Sequence, residues 1–293
     1  MLDQWLVIGA FFAIYVIWGS TYLVNYFAMA TIPPFVMLGT RFFVAGALLF
    51  AWGWWRGQPW PSTREWGNSF LIGNLFLAIG TGGVVWALQW IDTGMAALIV
   101  AFDPLIIMAL LWLIFGSRPH PRSLVGAAIS IVGMALLVGQ PRIARSREAL
   151  WGLLAIAVAL ISWAVASIYV SRMVLPESRL RRSALQMITG GAGLLLFSAL
   201  TGELATFAPA AVSLSSFLAW TYLVVMGSWV AFSSFNYLLA KVAPEKVATS
   251  TYVNPVVAML LGWLFNNEVI TGQSALAALL LLTGVFFINR KEG

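Results

Sequence analysis

Charged residues are scarce in this chain. They make up 9% of its 293 residues, while 61% of the residues are hydrophobic; an ordinary soluble domain carries about 25% charged residues. A soluble fold of this size needs more polar surface than that, and a disordered chain needs high charge with low hydrophobicity. The scarcity of charge therefore excludes both classes and predicts a polytopic membrane protein.

Cysteine is absent, and His120 is the only histidine. Without cysteine there is no disulfide and no thiolate chemistry, and one histidine cannot build a multi-histidine metal site, so we expect no metal and no cofactor. Intramembrane proteases need two metal-binding histidines, a histidine within the membrane or two membrane aspartates. This chain offers Asp103 alone, and His120 lies in a predicted loop, so we expect that the protein is not an enzyme.

Long apolar runs, bounded by charges, prolines and glycines, predict ten transmembrane helices. One span takes roughly 20 residues, so ten spans use about 200 residues and leave no room for a separate soluble domain. The uninterrupted apolar texture favours helices over the alternating segments of a β-barrel. The predicted helices lie near 5–27, 34–55, 69–90, 94–115, 122–139, 150–172, 182–201, 214–239, 246–266 and 272–289.

Lysine and arginine are distributed unevenly among the predicted connections. The side that holds both termini carries twelve of the sixteen, and the other side carries three. Because basic loops stay in the cytoplasm, this bias predicts cytoplasmic termini in a bacterial inner membrane, and it explains the net charge of +6 without a nucleic-acid partner. The twelve are Arg56, Arg64, Arg118, Arg122, Arg172, Arg179, Arg181, Arg182, Lys241, Lys246, Arg290 and Lys291; the three are Arg142, Arg145 and Arg147.

The two halves of the chain resemble each other, with five predicted helices in each. Because five is odd, the second half enters the membrane inverted, and such repeats place a transporter's substrate site near the midplane between them. We expect a first repeat at 1–140, a second at 150–289 and a periplasmic linker at 141–149. A shift of 151 residues superposes Asp103-Pro104 on Asn254-Pro255 and Trp112 on Trp263, and a shift of 145 superposes Trp18 on Trp163 and Arg41 on Gln186.

These features resemble the drug/metabolite transporter superfamily, and more narrowly its EamA-domain branch. The resemblance is carried by WGST in the first helix, Arg41-Phe42 before small residues in the second, and NPVVAMLLGWLFNNEVITGQ with Glu268 across the ninth and tenth. It implies secondary transport of small metabolites, and aromatic-rich members include YddG-like exporters of aromatic amino acids. The first half has Gly116-Ser117-Arg118 where the second has the Glu268 region, which argues against a symmetric role for that glutamate.

Two charged residues fall within predicted spans. Asp103 lies roughly 13 Å deep at 1.5 Å per residue, so it must face a cavity, find a partner or be protonated. It could bind a substrate ammonium, carry a coupling proton or pair with Arg41 in a charge clamp. Arg41 could hold a substrate carboxylate through two parallel hydrogen bonds, or it could satisfy helix-end carbonyls in an architectural role.

Prolines and aromatic residues complete the candidate site. Pro104 and Pro255 remove a backbone donor in mid-helix and are candidate hinges, with a static kink as the alternative. Beside Pro255, Asn254 offers both a donor and an acceptor. Aromatic rings that line a cavity would stack on planar or cationic substrates. The aromatic candidates for substrate binding are Trp18, Trp86, Phe102, Trp163, Tyr237 and Tyr252; for Trp86 and Tyr237, gating is the alternative.

The leading hypothesis is a secondary transporter that works by alternating access and exports amino acids, aromatic ones above all. The alternative is an exporter of planar or quaternary organic cations that is coupled to protons through Asp103. A passive channel is disfavoured, because ion filters commonly need an oligomer around one pore and two inverted halves suit a monomer. The expected partners are a small-molecule substrate and membrane lipid.

Overall fold

Ten long helices dominate the computed structural model, which describes residues 2–140, 146–242, 247 and 250–289. Within these residues eight helices are long and apolar enough to cross a membrane, and α9 and α10 contain shorter apolar stretches. The prediction of an all-α polytopic membrane protein is confirmed. In chain order the helices are α1 2–28, α2 Pro34–Trp55, α3 Thr63–Ala87, α4 Thr93–Phe115, α5 Pro121–Val138, α6 Arg147–Tyr169, α7 Arg179–Leu200, α8 214–241, α9 Ser250–Asn266 and α10 Gly272–Asn289.

The start of α3 differs from its predicted position near 69. The Ser62 hydroxyl accepts a hydrogen bond from the Glu65 N–H, and the Glu65 carboxylate accepts one from the Ser62 N–H at 2.7 Å. This reciprocal capping box satisfies two of the first free donors of the helix, so α3 begins at Thr63. The predicted start was too late because hydropathy identifies only the apolar part of a helix.

Some residues of the sequence predictions lie outside the described residues. They are Arg142, Arg145, Lys246, Arg290 and Lys291, together with most of the predicted linker 141–149.

Three helices contain π-helical segments, at Ala13–Ile17 in α1, Asn74–Thr81 in α3 and Leu223–Val230 in α8. Helices α3 and α8 are equivalents in the two halves, and their N-caps, Ser62 and Ser213, are 151 residues apart. Since π turns are rare and cluster at functional sites, a π segment in both equivalents directs attention to the region around them.

The helix ends lie on two opposite faces. The terminal face carries the start of α1, the end of α10 and the α2–α3, α4–α5, α6–α7 and α8–α9 connections; the linker face carries the other five connections. Hydrogen bonds within each face support this assignment. On the terminal face, Arg181 Nη2 donates to the Gln58 carbonyl at 2.9 Å, and on the linker face Gln273 Nε2 donates to the Leu136 carbonyl at 2.8 Å.

The halves pack mainly through two pairs of equivalent helices, α2 with α7 and α5 with α10. At the α2–α7 crossing a Cβ on Gly46 would lie 2.7 Å from the Ile188 nitrogen, and one on Gly191 would lie 2.6 Å from the Phe43 nitrogen. Neither position has room for a side chain. Glycine therefore lets these membrane helices approach to backbone contact and holds the halves together around the central helices.

Candidate functional site

One face of α1 organises the polar groups between the two halves. Trp18, Thr21, Tyr22 and Asn25 follow the i, i+3, i+4, i+7 spacing of a single helical face. Trp18 Nε1 donates to the Gly227 carbonyl in the π segment of α8 at 3.2 Å, and Asn25 Oδ1 accepts from Arg41. This face of α1 therefore meets both halves of the protein.

Arg41 of α2 is a buried cation, with 5% of its surface exposed. Its Nε donates to the Ser228 hydroxyl of α8 at 3.2 Å, and its Nη1 donates to Asn25 Oδ1 at 3.2 Å. A Cβ on Gly227 would lie 2.9 Å from Nη2, so that glycine makes room for the guanidinium. Of the five N–H groups of an arginine, two make these bonds; among the described residues, no carboxylate pairs with the cation.

Asp103 lies where α4 is interrupted. The helix divides into Thr93–Val100 and Asp103–Phe115, and Pro104, which has no N–H, leaves the Val100 carbonyl without its usual donor. Asp103 Oδ1 is shielded from solvent and has no hydrogen-bond partner among the described residues. Tyr22 of α1 lies within electrostatic reach of this carboxylate.

The predicted charge clamp between Arg41 and Asp103 does not form in this structure. Arg41 instead bonds the neutral side chains of Asn25 and Ser228, and Asp103 lies near Tyr22. Because Tyr22 and Asn25 are three residues apart, both charges are directed to the same face of α1 within about one turn. The structure thus brings the two charged residues into one region without pairing them.

Trp18 and Trp163 have equivalent positions but different surroundings. Each packs on the π segment of the opposite half's third helix: Trp18 on α8, as above, and Trp163 on α3, where its ring meets Phe76 edge-on at 4.7 Å and lies over Gly80. The Trp18 N–H is hydrogen-bonded, whereas Trp163 is 38% exposed. Phe102, which precedes Asp103 in the chain, and Tyr22 both pack against the apolar cluster that includes Leu98 and Ile99.

Of the other predicted aromatic residues, Trp86 and Tyr252 lie away from the α1 face, whereas Tyr237 packs against the same buried cluster as Trp18. Trp86 packs edge-on against Trp90 at 4.6 Å, at the linker-face end of α3, and Tyr237 packs against Ile14 and Leu238 toward the terminal face. Tyr252 turns to α10, where its hydroxyl donates to the Val285 carbonyl at 3.1 Å. The structure therefore places Trp86 and Tyr237 toward opposite faces and Tyr252 in a helix–helix contact.

Asn254, the equivalent of Asp103, serves the backbone of α1. With its amide nitrogen toward α1, it donates to the main-chain oxygens of Ile14 at 2.9 Å and Tyr15 at 3.1 Å, both in the π segment. Helix α9 runs unbroken through Pro255, so the interruption expected in both halves is present only in α4. Helix α9 packs closely on α1 beside this proline, since a Cβ on Gly19 of α1 would lie 2.7 Å from Val257 Cβ.

Glu268, for which no symmetric role was expected, binds the start of α4. Its carboxylate accepts hydrogen bonds from the Thr93 N–H at 2.8 Å, the Thr93 hydroxyl at 2.7 Å and the Gly94 N–H at 3.1 Å. Gly262 makes room for this carboxylate. The sequence analysis also missed Tyr22, Asn25 and Ser228 as residues of the site. The helical spacing of the polar positions in α1 could have indicated Tyr22 and Asn25.

The described residues contain no group of three or more histidine, aspartate or glutamate side chains that could hold a metal ion. The polar groups that surround α1 are a guanidinium, a carboxylate, amides, hydroxyls and indole rings. Together they suit a small organic molecule that is held by hydrogen bonds, opposite charges and stacking.

Comparison with known proteins finds one family whose model matches both halves of the chain. The model of the EamA-like transporter family matches residues 5–139 and 150–290. The uncharacterized inner membrane transporter YedA of Escherichia coli (strain K12) is 38% identical over 96% of this chain and 90% of its own length. Protein PecM of Dickeya dadantii (strain 3937) is 24% identical over 93% of this chain and 89% of its own length.

A solved crystal structure shares the fold. It is 23% identical, covers 97% of this chain and 96% of its own, and superposes with a TM-score of 0.64. At that identity the likeness concerns the path of the chain alone. It supports the ten-helix arrangement in which α1, α4 and α9 meet.

Proposed function

The chain belongs to the EamA-like transporter family of the drug/metabolite transporter superfamily, and from this premise we propose that it exports amino acids, aromatic ones above all, by alternating access. Membership and the similarity to YedA make it a transporter of the inner membrane. The substrate class is our inference from the site.

One observation carries the proposal: opposite charges approach one face of α1, and neither has an ionic partner among the described residues. Arg41 is held by two neutral side chains, and Asp103 Oδ1 has no hydrogen-bond partner. Removing single charges from water costs several kcal/mol per ion unless a partner compensates. An α-amino acid offers a carboxylate to Arg41 and an ammonium to Asp103, and it would compensate both at once.

The aromatic residues around these charges favour an aromatic side chain on the substrate. Trp18 lies on the same face of α1 as Asn25, Tyr22 lies within electrostatic reach of Asp103, and Phe102 precedes Asp103 in the chain. Trp163, equivalent to Trp18, leaves part of its ring exposed. Offset or edge-on contacts between rings add about 0.5–1.5 kcal/mol beyond the burial of area, enough to rank aromatic amino acids above small ones.

The unequal burial of α4 supports a site that loads from the terminal face. Thr93–Val100, toward the linker face, contains six buried residues, whereas Asp103–Phe115, toward the terminal face, contains none. Helix α9 packs on the first segment and on α1. The charge bias assigns the terminal face to the cytoplasm, so the state described here would take its substrate from the cytoplasm, as an exporter does.

The same assignments complete the proposed organisation. Both termini lie in the cytoplasm, the repeats span 1–140 and 150–289, and the linker 141–149 is periplasmic. A single chain contains both inverted halves and can form the whole site, so we propose a monomer that contacts its substrate and membrane lipid.

The alternative substrate is a planar or quaternary organic cation exchanged for protons at Asp103. The unpartnered Oδ1 beside Tyr22 and Phe102 favours it, because a carboxylate with aromatic neighbours attracts such cations. A cationic substrate would leave Arg41 without an ionic partner in the same region, however, and we therefore prefer a zwitterion.

Counterflow in proteoliposomes tests the proposal. Vesicles are preloaded with phenylalanine, with phenylethylamine, which lacks the carboxylate, or with phenylpropionate, which lacks the ammonium. We expect phenylalanine alone to accelerate uptake of labelled phenylalanine, and we expect Trp163→Ala to weaken this exchange by roughly tenfold, the loss of one aromatic contact.

Arg41→Lys and a matched variant locate the carboxylate site. A lysine cannot make the two parallel bonds of a guanidinium, so exchange should fall sharply in this variant. Arg181→Lys alters another buried arginine, which bonds Gln58 at the terminal face, and should keep exchange. Exchange of phenylethylamine or a planar cation without phenylalanine would establish the alternative and overturn the zwitterion.

A further inference from the structure

Two carboxylates from the second half reach across the linker face to the first half. Glu203, in the short helix Glu203–Thr206 between α7 and α8, accepts a hydrogen bond from the Phe35 N–H at 2.9 Å, and the Val36 N–H also bonds it. Glu268, between α9 and α10, binds Thr93 and Gly94 as described above. Each glutamate therefore joins the start of a first-half helix to a second-half connection.

These contacts replace ordinary helix caps. The first N–H groups of a helix have no partner within it, and a residue just before the helix usually binds them. At α2 that residue is Pro33, and at α4 it is Asp92, and neither caps through its side chain. The glutamates that do so lie 168 residues from Phe35 and 175 residues from Thr93, and their negative charge suits the positive end of the helix dipole.

The terminal face has no such carboxylates at the equivalent positions. The shift of 145 residues relates Glu203 to Gln58, and the shift of 151 relates Glu268 to Ser117. Gln58 does meet the start of α7, where its side-chain oxygen accepts from Arg181 Nε at 3.3 Å. That contact uses a neutral amide and a side-chain donor, and the Glu65 carboxylate on this face caps the Ser62 N–H within its own half. Among the described residues, carboxylates that cap a helix of the other half therefore distinguish the linker face.

We propose that Glu203 and Glu268 form a two-point latch that closes the linker face, and that both must release the starts of α2 and α4 before the central site opens to that side. Thr93, which Glu268 binds, and Leu98, one turn further along α4, are each 1% exposed. Leu98 lines a small cavity with Gly94, Met259 and Glu268. Movement of the start of α4 away from α9 would uncover this cavity. The inference rests on alternating access but not on the identity of the substrate.

Thiol labelling tests the latch directly, because the chain has no cysteine and one introduced cysteine reports alone. Leu98→Cys is the reporter, and a membrane-impermeant maleimide is added to each side of the membrane in turn. Replacing a carboxylate by an amide removes the negative charge that strengthens these hydrogen bonds. We expect Glu268→Gln to raise labelling from the linker face about tenfold, and Glu203→Gln, with fewer bonds, to raise it about threefold.

Controls separate a latch from general loosening. Glu65→Gln removes a carboxylate that caps its own helix within one half and should leave labelling of Leu98→Cys unchanged. Ile106→Cys, in the terminal-face part of α4, should be labelled more slowly from the terminal face in the latch variants. Glu268→Asp, which keeps the charge, should restore much of the slow labelling at Leu98→Cys.

Two results would overturn the latch: unchanged labelling in variants that fold, as judged by a monodisperse elution profile, or faster labelling from both faces. Neither readout involves a substrate. A failure to exchange phenylalanine would therefore reject the proposed function without touching the latch, and unchanged labelling would reject the latch alone.

Discussion

Helices α4 and α9 occupy equivalent places in the two halves, yet they behave differently around the same proline. Helix α9 runs unbroken through Pro255, and Asn254 donates to two carbonyls of α1. Helix α4 is interrupted before Pro104, and Asp103 Oδ1 has no hydrogen-bond partner among the described residues. A proline thus weakens a membrane helix, because it leaves a backbone carbonyl without its donor. The residues packed around the proline decide whether the helix is interrupted, because they either satisfy the freed polar groups or leave them unsatisfied.

The difference between an amide and a carboxylate has a direct functional meaning. An amide can donate to the backbone of α1, whereas an ionised carboxylate can only accept. Asn254 therefore fastens α9 to α1, and Asp103 stays available to a cation. The half with the amide supplies a fixed support, and the half with the acid supplies the proposed binding group.

The largest effect on transport is expected from Asp103→Asn, which gives α4 the amide that α9 has at the equivalent position. Asp103→Asn removes the negative charge that would hold the substrate ammonium, so we expect phenylalanine counterflow to fall about a hundredfold, equivalent to roughly 2.7 kcal/mol. Full counterflow in the variant would show that Asp103 contacts no ammonium and that its lack of a partner is structural.

The reverse exchange should damage the fold instead. Asn254→Asp places a carboxylate against the Ile14 and Tyr15 carbonyls and removes the amide N–H groups that donate to them. Leaving such buried groups unsatisfied costs about 1–3 kcal/mol, which would appear as a melting temperature lower by several degrees in detergent. Asn254→Gln keeps the amide and serves as the milder comparison; equal losses in both would point to packing and not to hydrogen bonding.

Replacing each proline separately should sharpen the contrast between the helices. Pro104→Ala restores a donor for the Val100 carbonyl and favours a continuous α4, so we expect counterflow to slow several-fold without a loss of stability. Pro255→Ala should change counterflow by less than about twofold, because α9 is already continuous. Equal slowing in both variants would mean that the two helices flex alike during transport.

The smallest expected effect is on the pH dependence of stability, and it concerns Glu203, which binds the start of α2. Burial raises the pKa of Glu203 above its usual value near 4.5, although the Phe35 and Val36 N–H groups partly oppose the shift. The folded protein therefore binds more protons here than the unfolded chain, and stability is lost as pH rises through the raised pKa. The melting temperature of Glu203→Gln should depend less on pH in this acidic window; identical pH profiles would show that Glu203 titrates alike in both states.

Much of the architecture could be predicted from the sequence. Long apolar runs gave the helices, because a lipid environment forces every span to satisfy its own backbone, and paired motifs such as Asp103-Pro104 and Asn254-Pro255 gave the inverted repeat. The start of α3 was predicted too late, since the Ser62–Glu65 capping box lies before the apolar run.

The candidate site was less predictable. Arg41 and Asp103 were evident in the sequence as charges within apolar spans. The side chains that lie next to each of them could not be predicted. Asn25 and Ser228 lie 16 and 187 residues from Arg41 in the chain, and neither looks unusual by itself. Glu268 could be matched to a family pattern, while the helix start it binds lies 175 residues away.

The sequence by itself determined that the chain lies in a membrane, that it forms helices and that its halves repeat. These properties follow from local hydropathy and from the order of motifs along the chain. Only the tertiary structure decided that α1 carries the central polar face, that α4 is interrupted while α9 is not, and that two second-half glutamates bind the starts of first-half helices. The physical reason is that these helices are apolar nearly all round, so hydropathy does not fix which sides meet; close packing at glycines and hydrogen bonds between distant residues do.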